Sequence, residues 1–206
     1  MPAQAKPYHH GDLRATLIAT AIEMLAEKND VRGFSLAEAA RHAGVSQGAP
    51  YKHFADRDEL IAAVATLACQ TLTVRLQKTT TATATAAIRL ADTARAYLNF
   101  ALEDTALFRA VFESGLDKAR YSDLREAAEP VGRYFLDPAS ELLPDAPPAA
   151  TRLAHAVLAL AHGFAELALS GPLDDDYSPG DLAETTHTAT VALIAGWPRA
   201  SIEPTK

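Results

Sequence analysis

Apolar residues recur at the three- and four-residue spacing of amphipathic helices over most of the chain. The first such stripe predicts a helix from Asp12 or Leu13 to about Lys28, because the turn-forming residues Asn29 and Asp30 follow it. Alanine and leucine dominate the composition, which favours helices over strands. The pattern therefore predicts an all-α protein.

Two short helices joined by a glycine turn are predicted next. Ser35 and Glu38 have the spacing of a capping box, in which the serine hydroxyl accepts a bond from a backbone amide and the glutamate accepts one in return. Gly44 is expected to end that helix in a left-handed conformation, and Ser46 to cap a further helix that runs to about Phe54. A short helix, a tight turn and a second short helix are the parts of a helix-turn-helix.

The rest of the chain predicts further helices. A second capping pattern at residues 56–59 opens a long helix that reaches about residue 78, and the threonine-rich run at residues 79–85 predicts a break after it. The prolines at residues 144–148 predict a loop. The three aspartates at residues 174–176 predict a solvated loop, with a weak cation site as the alternative. Helical patterns occupy residues 86–102, 105–114, 122–143, 150–169 and 181–195.

Composition narrows the class of protein. The chain has 206 residues, of which 49% are hydrophobic and 22% charged, and this excludes a disordered or fibrous protein. The single cysteine, Cys69, permits no disulfide within the chain and is expected to be a small core residue, with redox sensing as the alternative. The N-terminal residues lack the apolar core of a signal peptide, and the most apolar stretch, residues 153–169, contains His155, His162 and Glu166. We therefore expect a cytoplasmic protein without a membrane span.

The charge is distributed unevenly. The formal net charge is -7, which by itself speaks against a nucleic-acid partner. The first 57 residues, however, carry seven Lys or Arg against six Asp or Glu, a balance of +1 that leaves -8 for the remainder. The N-terminal part therefore lacks the net negative charge that the rest of the chain carries. This difference has the direction expected of a protein that binds DNA through its N-terminal part.

Residues 46–53, called here the recognition segment, combine the features that a DNA-reading element needs. Gln47 has the donor and acceptor to bond an adenine edge, while Gly48 and Ala49 allow the backbone to approach the major groove closely. A phenol, an ammonium and an imidazole follow, from Tyr51, Lys52 and His53. Taken singly, each of the three also has a plain interpretation as a packing residue or a solvated surface group, but the grouping favours DNA contact.

This region resembles a known family. The run FSLAEAARHAGVSQGAPYKHF, residues 34–54, strongly resembles the DNA-binding domain of the tetracycline-repressor (TetR) family, and residues 8–14 and 55–60 fit the same pattern. Residues 160–164, LAHGF, resemble the Trp-His-Gly-type C-terminal domain of one branch, with Ala161 where that branch often has tryptophan.

The resemblance implies about nine helices in three parts: a helix-turn-helix domain at residues 8–55, a connector helix at residues 56–78, and an effector-binding and dimerisation domain at residues 84–197. It implies a repressor that binds palindromic double-stranded operator DNA as a homodimer and that a small-molecule effector, of unknown identity, releases. The dimer contacts are expected in the helices at residues 150–169 and 181–195, whose apolar character independently requires burial.

Nine residues are candidate DNA contacts. By resemblance, operator-contacting positions fall on Ser46, Gln47, Ala49, Tyr51 and His53. Ser35 matches a phosphate-contacting helix start, and Arg57 matches a phosphate contact at the start of the connector. Gly48 and Lys52 complete the set, through close approach and charge.

An effector pocket is expected inside the second domain. Candidates for its aromatic lining are Tyr97, Phe100, Phe108, Phe112, Tyr134, Phe135 and Phe164, although aromatics at helical spacing are more often core residues than pocket residues. His155 and His162 lie seven residues apart on one helix face and are candidate polar groups of the pocket. Two histidines without carboxylate partners are weak metal ligands, so neither a metal nor a cofactor is expected.

Two other classes of function are compatible with parts of the sequence. A helical small-molecule binding protein with an inactive head would share this fold, but the intact recognition segment argues against it. A helical enzyme would need a nucleophile paired with a base or a phosphate-binding loop, and the sequence has neither pattern. The sequence therefore predicts a DNA-binding regulator and no catalytic residues.

Overall fold

The computed structural model describes residues 12–28, 33–79, 84–173 and 177–198. Within these ranges the chain forms eight α-helices and two short 3-10 helices, and no strand. The α-helices are α1 (Leu13–Lys28), α2 (Leu36–His42), α3 (Arg57–Thr79), α4 (Ala86–Glu103), α5 (Thr105–Phe112), α6 (Ser122–Leu142), α7 (Pro147–Leu169) and α8 (Pro179–Ala195). The all-α prediction is confirmed; residues 8–11 and the aspartates at 174–176 lie outside the described residues.

Two helix starts follow the predicted capping residues. Ser35 caps α2 in a full capping box with Glu38. The Asp56 carboxylate accepts a 2.9 Å bond from the Glu59 amide at the start of α3. At a start for which no cap was predicted, Ser178 caps α8 through a further capping box. Each cap satisfies amide groups that the first helical turn leaves without a partner.

One helix start was predicted wrongly. The prolines Pro147 and Pro148 form the first turn of α7 instead of the end of a loop. Proline lacks an amide hydrogen, but the first turn of a helix has no intrahelical acceptor for that hydrogen, so proline is accepted there. The helix predicted from residue 150 therefore begins three residues earlier.

Helix α3 joins the two parts of the molecule. It packs against α1 on one side and contacts α4, α5 and α6 as well, while α4 packs on α7 and α8. Cys69 of α3 is buried, as expected of a small core residue. Arg75, near the C-terminal end of α3, makes ion pairs with Glu103 and Asp104 at the corner between α4 and α5, and its guanidinium lies 5.7 Å from the centre of the Phe100 ring. The connector is therefore fixed to the body by both packing and charge.

Two helices, α3 and α7, are long and apolar enough to cross a membrane when length and composition alone are considered. In the most apolar stretch of α3, half of the residues are buried within the structure, as in the core helix of a soluble protein. In the most apolar stretch of α7, only 28% are buried. Two such helices are a weak indication of a membrane span. The lower share in α7 leaves part of an apolar face exposed.

Candidate nucleic-acid interface

Helix α2 presents the recognition segment through a tight turn. The helix ends with amides that bond back to carbonyls of its last turn, from Ala43 to Ala39 at 2.9 Å and from Val45 to Ala40 at 3.0 Å. Gly44 has a φ of 71°, in the left-handed region that glycine adopts without a steric penalty. The predicted glycine turn is therefore confirmed.

The recognition segment is not the α-helix over residues 46–54 that the sequence predicts. The amide of Ala49 donates to the carbonyl of Ser46 at 2.9 Å, and a single 3-10 turn follows at Pro50–Lys52. An α-helical bond to the Ser46 carbonyl would have to come from residue 50, which is proline and has no amide hydrogen. The chain instead forms the tighter bonds of a 3-10 helix, in which an amide donates to the carbonyl three residues before it.

The segment exposes its polar side chains and anchors its apolar ones. Pro50 and, directly after the segment, Phe54 are buried. Tyr51 is 58% exposed, so it is not a packing residue. Ala49 is half-buried, while the exposed members are Ser46, Gln47, Gly48, Tyr51, Lys52 and His53. The structure thus brings together seven of the nine candidate residues on one surface, and their contact with DNA stays a prediction.

Ser35 and Arg57 flank this surface and already have partners. The Ser35 hydroxyl donates to Glu38 at 3.1 Å and accepts from the Glu38 amide at 3.2 Å. Bonds from the Ser35 backbone and hydroxyl, followed by the charge of Lys28, lower the pKa of Glu38. The guanidinium of Arg57 pairs with Asp58 at 2.8 Å and lies 5.5 Å from the centre of the Phe34 ring. A phosphate would therefore have to share both groups with these neighbours.

Sequence reasoning missed one basic residue beside the segment. The guanidinium of Arg14 lies 5.4 Å from the centre of the Phe54 ring, which places a cation of α1 next to the anchor of the recognition segment. Arg14 and Phe54 are 40 residues apart, so no local pattern links them. Arg41, in the last turn of α2, is a second exposed cation of the N-terminal helix-turn-helix part, which we call the head.

The body contains a group of rings that was predicted to line the effector pocket. The Tyr97 hydroxyl and His162 Nδ1 are 3.0 Å apart, and the His162 ring lies 5.4 Å from Phe108 and 4.9 Å from Phe112. Phe135 completes the group, with its ring centre 6.0 Å from that of Tyr97. We call these five residues the Tyr97–His162 cluster.

The cluster is largely closed on itself. Tyr97, Phe108 and Phe135 are buried, whereas Phe112 is 38% exposed. His162 Nε2 lies 3.5 Å from a carboxylate oxygen of Glu166, one turn further along α7. Burial, and then the charge of Glu166, raise the pKa of Tyr97 well above its ordinary value, so the phenol stays protonated as a donor. The polar atoms of Tyr97 and His162 therefore satisfy one another within the aromatic packing.

The other predicted pocket residues lie elsewhere. Phe100 is buried beneath Arg75, Tyr134 is half-buried on α6, and His155 is exposed on α7. His155 and His162 therefore do not form a common site, and the described residues contain no group of three side chains able to hold a metal ion. The structure has two surface clefts, one of about 930 Å³ beside α1, α3 and α6 and one of about 360 Å³ beside α1 and the α4–α5 corner. None of the nine predicted pocket residues lines either of them.

Two family models match the chain. Residues 17–64 match the family described as bacterial regulatory proteins, tetR family. Residues 90–191 match the family described as tetracyclin repressor-like, C-terminal domain. The comparison with curated proteins found no match.

Solved structures share the fold. A protein of unknown function from Rhodococcus sp. RHA1 is 32% identical, with a TM-score of 0.72 over 91% of this chain and 98% of its own. A tetR-family regulatory protein from Rhodococcus RHA1 is 17% identical, with a TM-score of 0.69 over 88% and 96%. The transcriptional regulator FadR from Bacillus subtilis, in complex with stearoyl-CoA, is 16% identical, with a TM-score of 0.63 over 89% and 98%. The chain belongs to the tetR family of bacterial regulatory proteins, and it is a DNA-binding transcriptional regulator.

Proposed function

We propose that the chain is a repressor that binds a palindromic operator as a homodimer and dissociates from it when a small-molecule effector binds the body. The observation that carries this proposal is the recognition segment, whose polar side chains project to solvent above the buried Pro50 and Phe54. A surface element with so little regular backbone bonding is typical of a site retained for binding and not for stability.

The exposed groups suit different parts of a DNA duplex. The amide of Gln47 matches the paired donor and acceptor of an adenine in the major groove. Lys52 carries a full charge for a phosphate, and Tyr51 and His53 offer hydrogen bonds to phosphate or base edges. Arg14, next to Phe54, is positioned to add a phosphate contact from α1. Base contacts would set the sequence preference, and phosphate contacts most of the affinity.

The exposed apolar face of α7 supports the homodimer. Leu160, Gly163, Phe164 and Leu167 share one face at three- and four-residue spacing, and each is half-buried or exposed in the single chain. A Cβ added at Gly163 would meet no atom within 4 Å, so its side of α7 is open to a close approach by another helix. A two-fold partner would cover this stripe and set the distance between the two recognition segments.

The Tyr97–His162 cluster is the proposed place where an effector enters. Phe112 and His162 reach the surface, whereas Tyr97 is fully buried behind them, so a ligand that displaces Phe112 would meet the polar pair directly. FadR from Bacillus subtilis, a fold neighbour, is seen in complex with stearoyl-CoA. A chain of this fold therefore binds an organic ligand in at least that protein.

Selection from random DNA tests the proposal. The purified chain is expected to enrich a palindrome whose half-sites are about one helical turn apart, which corresponds to about 34–36 Å between recognition elements. Gel shifts on the enriched site should weaken steeply with salt, because phosphate contacts release counterions. Failure to enrich any sequence, or enrichment of a single unpaired half-site only, would contradict the proposal.

The dimer has its own test. Replacing Gly163 with leucine should raise the dimer dissociation constant, because the side chain occupies the space that the partner helix needs. Gly132→Leu is the matched control, since this exposed glycine of α6 also has no neighbour within 4 Å and lies outside the proposed interface. Sedimentation of both variants measures the effect, and equal dissociation constants would place the interface elsewhere.

A further inference from the structure

The larger cleft is a groove between α1 and α6 with α3 as its floor. Its volume is about 930 Å³, within the range of small-molecule sites. Ala15, Ile18 and Ile22 supply the α1 wall, and Leu124 and Ala127 supply part of the α6 wall. Small and apolar side chains of α3, namely Ala62, Ala63, Thr66 and Leu67, lie along the floor. We call this feature the α1–α6 groove.

One end of the groove holds two cations from different helices. The guanidinium of Arg14 lies against Phe54, just before α3 begins. Arg120 lines the groove next to Tyr121. The charges of Arg120 and of residues at the start of α3 both act on Tyr121, so Arg120 lies at the same end of the groove as Arg14. Among the described residues, neither Arg14 nor Arg120 forms an ion pair.

Asp123 and Glu126 of α6 also line the groove, and Asp56, Asp58 and Glu59 lie at its cationic end, but none of these five carboxylates forms an ion pair with Arg14 or Arg120 among the described residues. Asp56 accepts the amide of Glu59, Asp58 pairs with Arg57, and Glu59 accepts the amide of Ala55. Burial, and then the charges of these three carboxylates, raise the pKa of Tyr121, which keeps its phenol protonated as a further donor. The groove therefore pairs an apolar length with donors at one end, and its two guanidinium groups remain open to an external anion.

We propose that the α1–α6 groove binds an amphipathic carboxylate, with its apolar chain over α3 and its carboxylate at Arg14 and Arg120. This site is separate from the Tyr97–His162 cluster, because the two share no residue. Its regulatory consequence rests on the proposed function: α1 belongs to the DNA-binding head and α6 to the body, so a bound molecule that touches both fixes the position of the head.

Calorimetric titration of the full chain with decanoate, in the absence of DNA, tests the site. Decanoate is expected to bind at one site per chain, and each CH₂ removed from the alkyl chain should weaken binding about fourfold. Decylammonium, which has the same chain length and the opposite charge, should bind at least about tenfold more weakly. Equal affinity for the cation would overturn the proposal.

Two variants and their controls locate the site. Arg120→Gln should weaken decanoate about tenfold, whereas Arg125→Gln, on the exposed side of α6 outside the groove, should not. Ala19→Trp fills the groove from an exposed position of α1 and should abolish binding, whereas Ala26→Trp, seven residues along the same helix, should leave it intact. Unchanged decanoate affinity in both Arg120→Gln and Ala19→Trp would place the ligand elsewhere and overturn the proposal.

The effect of groove binding on DNA affinity is measured in a separate experiment. With a selected operator, decanoate should change the DNA affinity of the unaltered chain, while the affinity of Ala19→Trp should not respond. If the chain selects no operator, the proposed function fails while the titrations still decide the site. If it selects one and decanoate binds the groove without changing DNA affinity, the link between the groove and the head is overturned.

Discussion

The recognition segment and the Tyr97–His162 cluster use polar side chains in opposite ways. In the segment, Gln47, Tyr51 and Lys52 project to solvent and the backbone is held by a few three-residue bonds. In the cluster, Tyr97 is fully buried and its hydroxyl is paired with His162 inside aromatic packing. The first region keeps its bonding capacity for another molecule, whereas the second uses that capacity within the chain.

This difference separates binding from stability along the molecule. Side chains of the segment should contribute little to folding, because they gain few contacts in the folded state. Side chains of the cluster should contribute much to folding and, in the absence of an effector, affect DNA binding only through the folded fraction. Each of the following substitutions acts on one side of this division.

The largest expected effect is that of removing a buried ring. Phe108→Ala should lower the free energy of unfolding by about 3–5 kcal/mol, because it leaves a cavity next to Tyr97 and His162. Phe112→Ala, in the same cluster but 38% exposed, should cost clearly less. Urea denaturation followed by circular dichroism measures both. Equal losses would show that burial does not determine how much each ring of the cluster stabilises the fold.

The second effect is on DNA binding. The double variant Tyr51→Ala with Lys52→Ala should weaken operator binding by about 2–4 kcal/mol, at about 1–2 kcal/mol for each of the two contacts. Its free energy of unfolding should stay within about 0.5 kcal/mol of the parent, since both side chains are exposed. Gel shifts and urea denaturation give the two numbers; Arg125→Ala, exposed on α6, is the control. Unchanged DNA binding would assign the DNA surface to other residues.

Two glycines of the head make a matched pair for the third prediction. Gly44→Ala should destabilise the fold by about 1–2 kcal/mol, because its φ of 71° is unfavourable for alanine although no atom lies within 4 Å of the added Cβ. Gly48→Ala, without a positive φ and with equally open space, should leave stability unchanged and weaken DNA binding by crowding the groove-facing surface. Thermal unfolding and gel shifts separate the two; a reversed pattern would contradict the division between stability and binding.

The smallest effect concerns the hydroxyl of Tyr97. Tyr97→Phe should lower the free energy of unfolding by about 1 kcal/mol at neutral pH, because His162 loses its partner. Since the pKa of Tyr97 is raised in the fold, the unfolded chain loses this proton near pH 10.0 while the folded chain retains it. Stability is therefore fully present below that pH and lost above it, by up to about 1.4 kcal/mol per pH unit, in the parent but not in Tyr97→Phe.

Urea denaturation at several pH values from about pH 9 to about pH 11 compares the two proteins. The difference in their stability should shrink and then change sign as the pH rises. Parallel pH profiles would show that Tyr97 ionises as readily in the folded state as in the unfolded one.

The helices and their starts were predictable from the sequence because their causes are local. The capping boxes at Ser35 and Ser178 and the left-handed turn at Gly44 each depend on residues within four positions of one another. The recognition segment departs from the predicted helix because Pro50 removes a single amide hydrogen, and the periodicity of side chains does not register that loss.

The side-chain groupings were less predictable because they depend on which helices meet. Tyr97 and Phe100 are both buried on α4, yet one packs against Phe108 and His162 and the other lies beneath Arg75 of α3. The contact between Arg14 and Phe54 likewise joins two helical regions that are distant along the chain. Helical periodicity identifies the buried face of each element but not its neighbours.

The ion pairs of Arg75 give α3 the properties of a lever with a fixed pivot. They pin the helix near its C-terminal end, to the corner between α4 and α5. Arg57, at the other end, is 18 residues away, which is about 27 Å at 1.5 Å per residue. A tilt of about 5° around the pivot would therefore move the start of α3 by about 2 Å, as much as separates a made hydrogen bond from a broken one. A shift too small to disturb the core of the body is thus magnified at the end of the helix that carries the recognition segment.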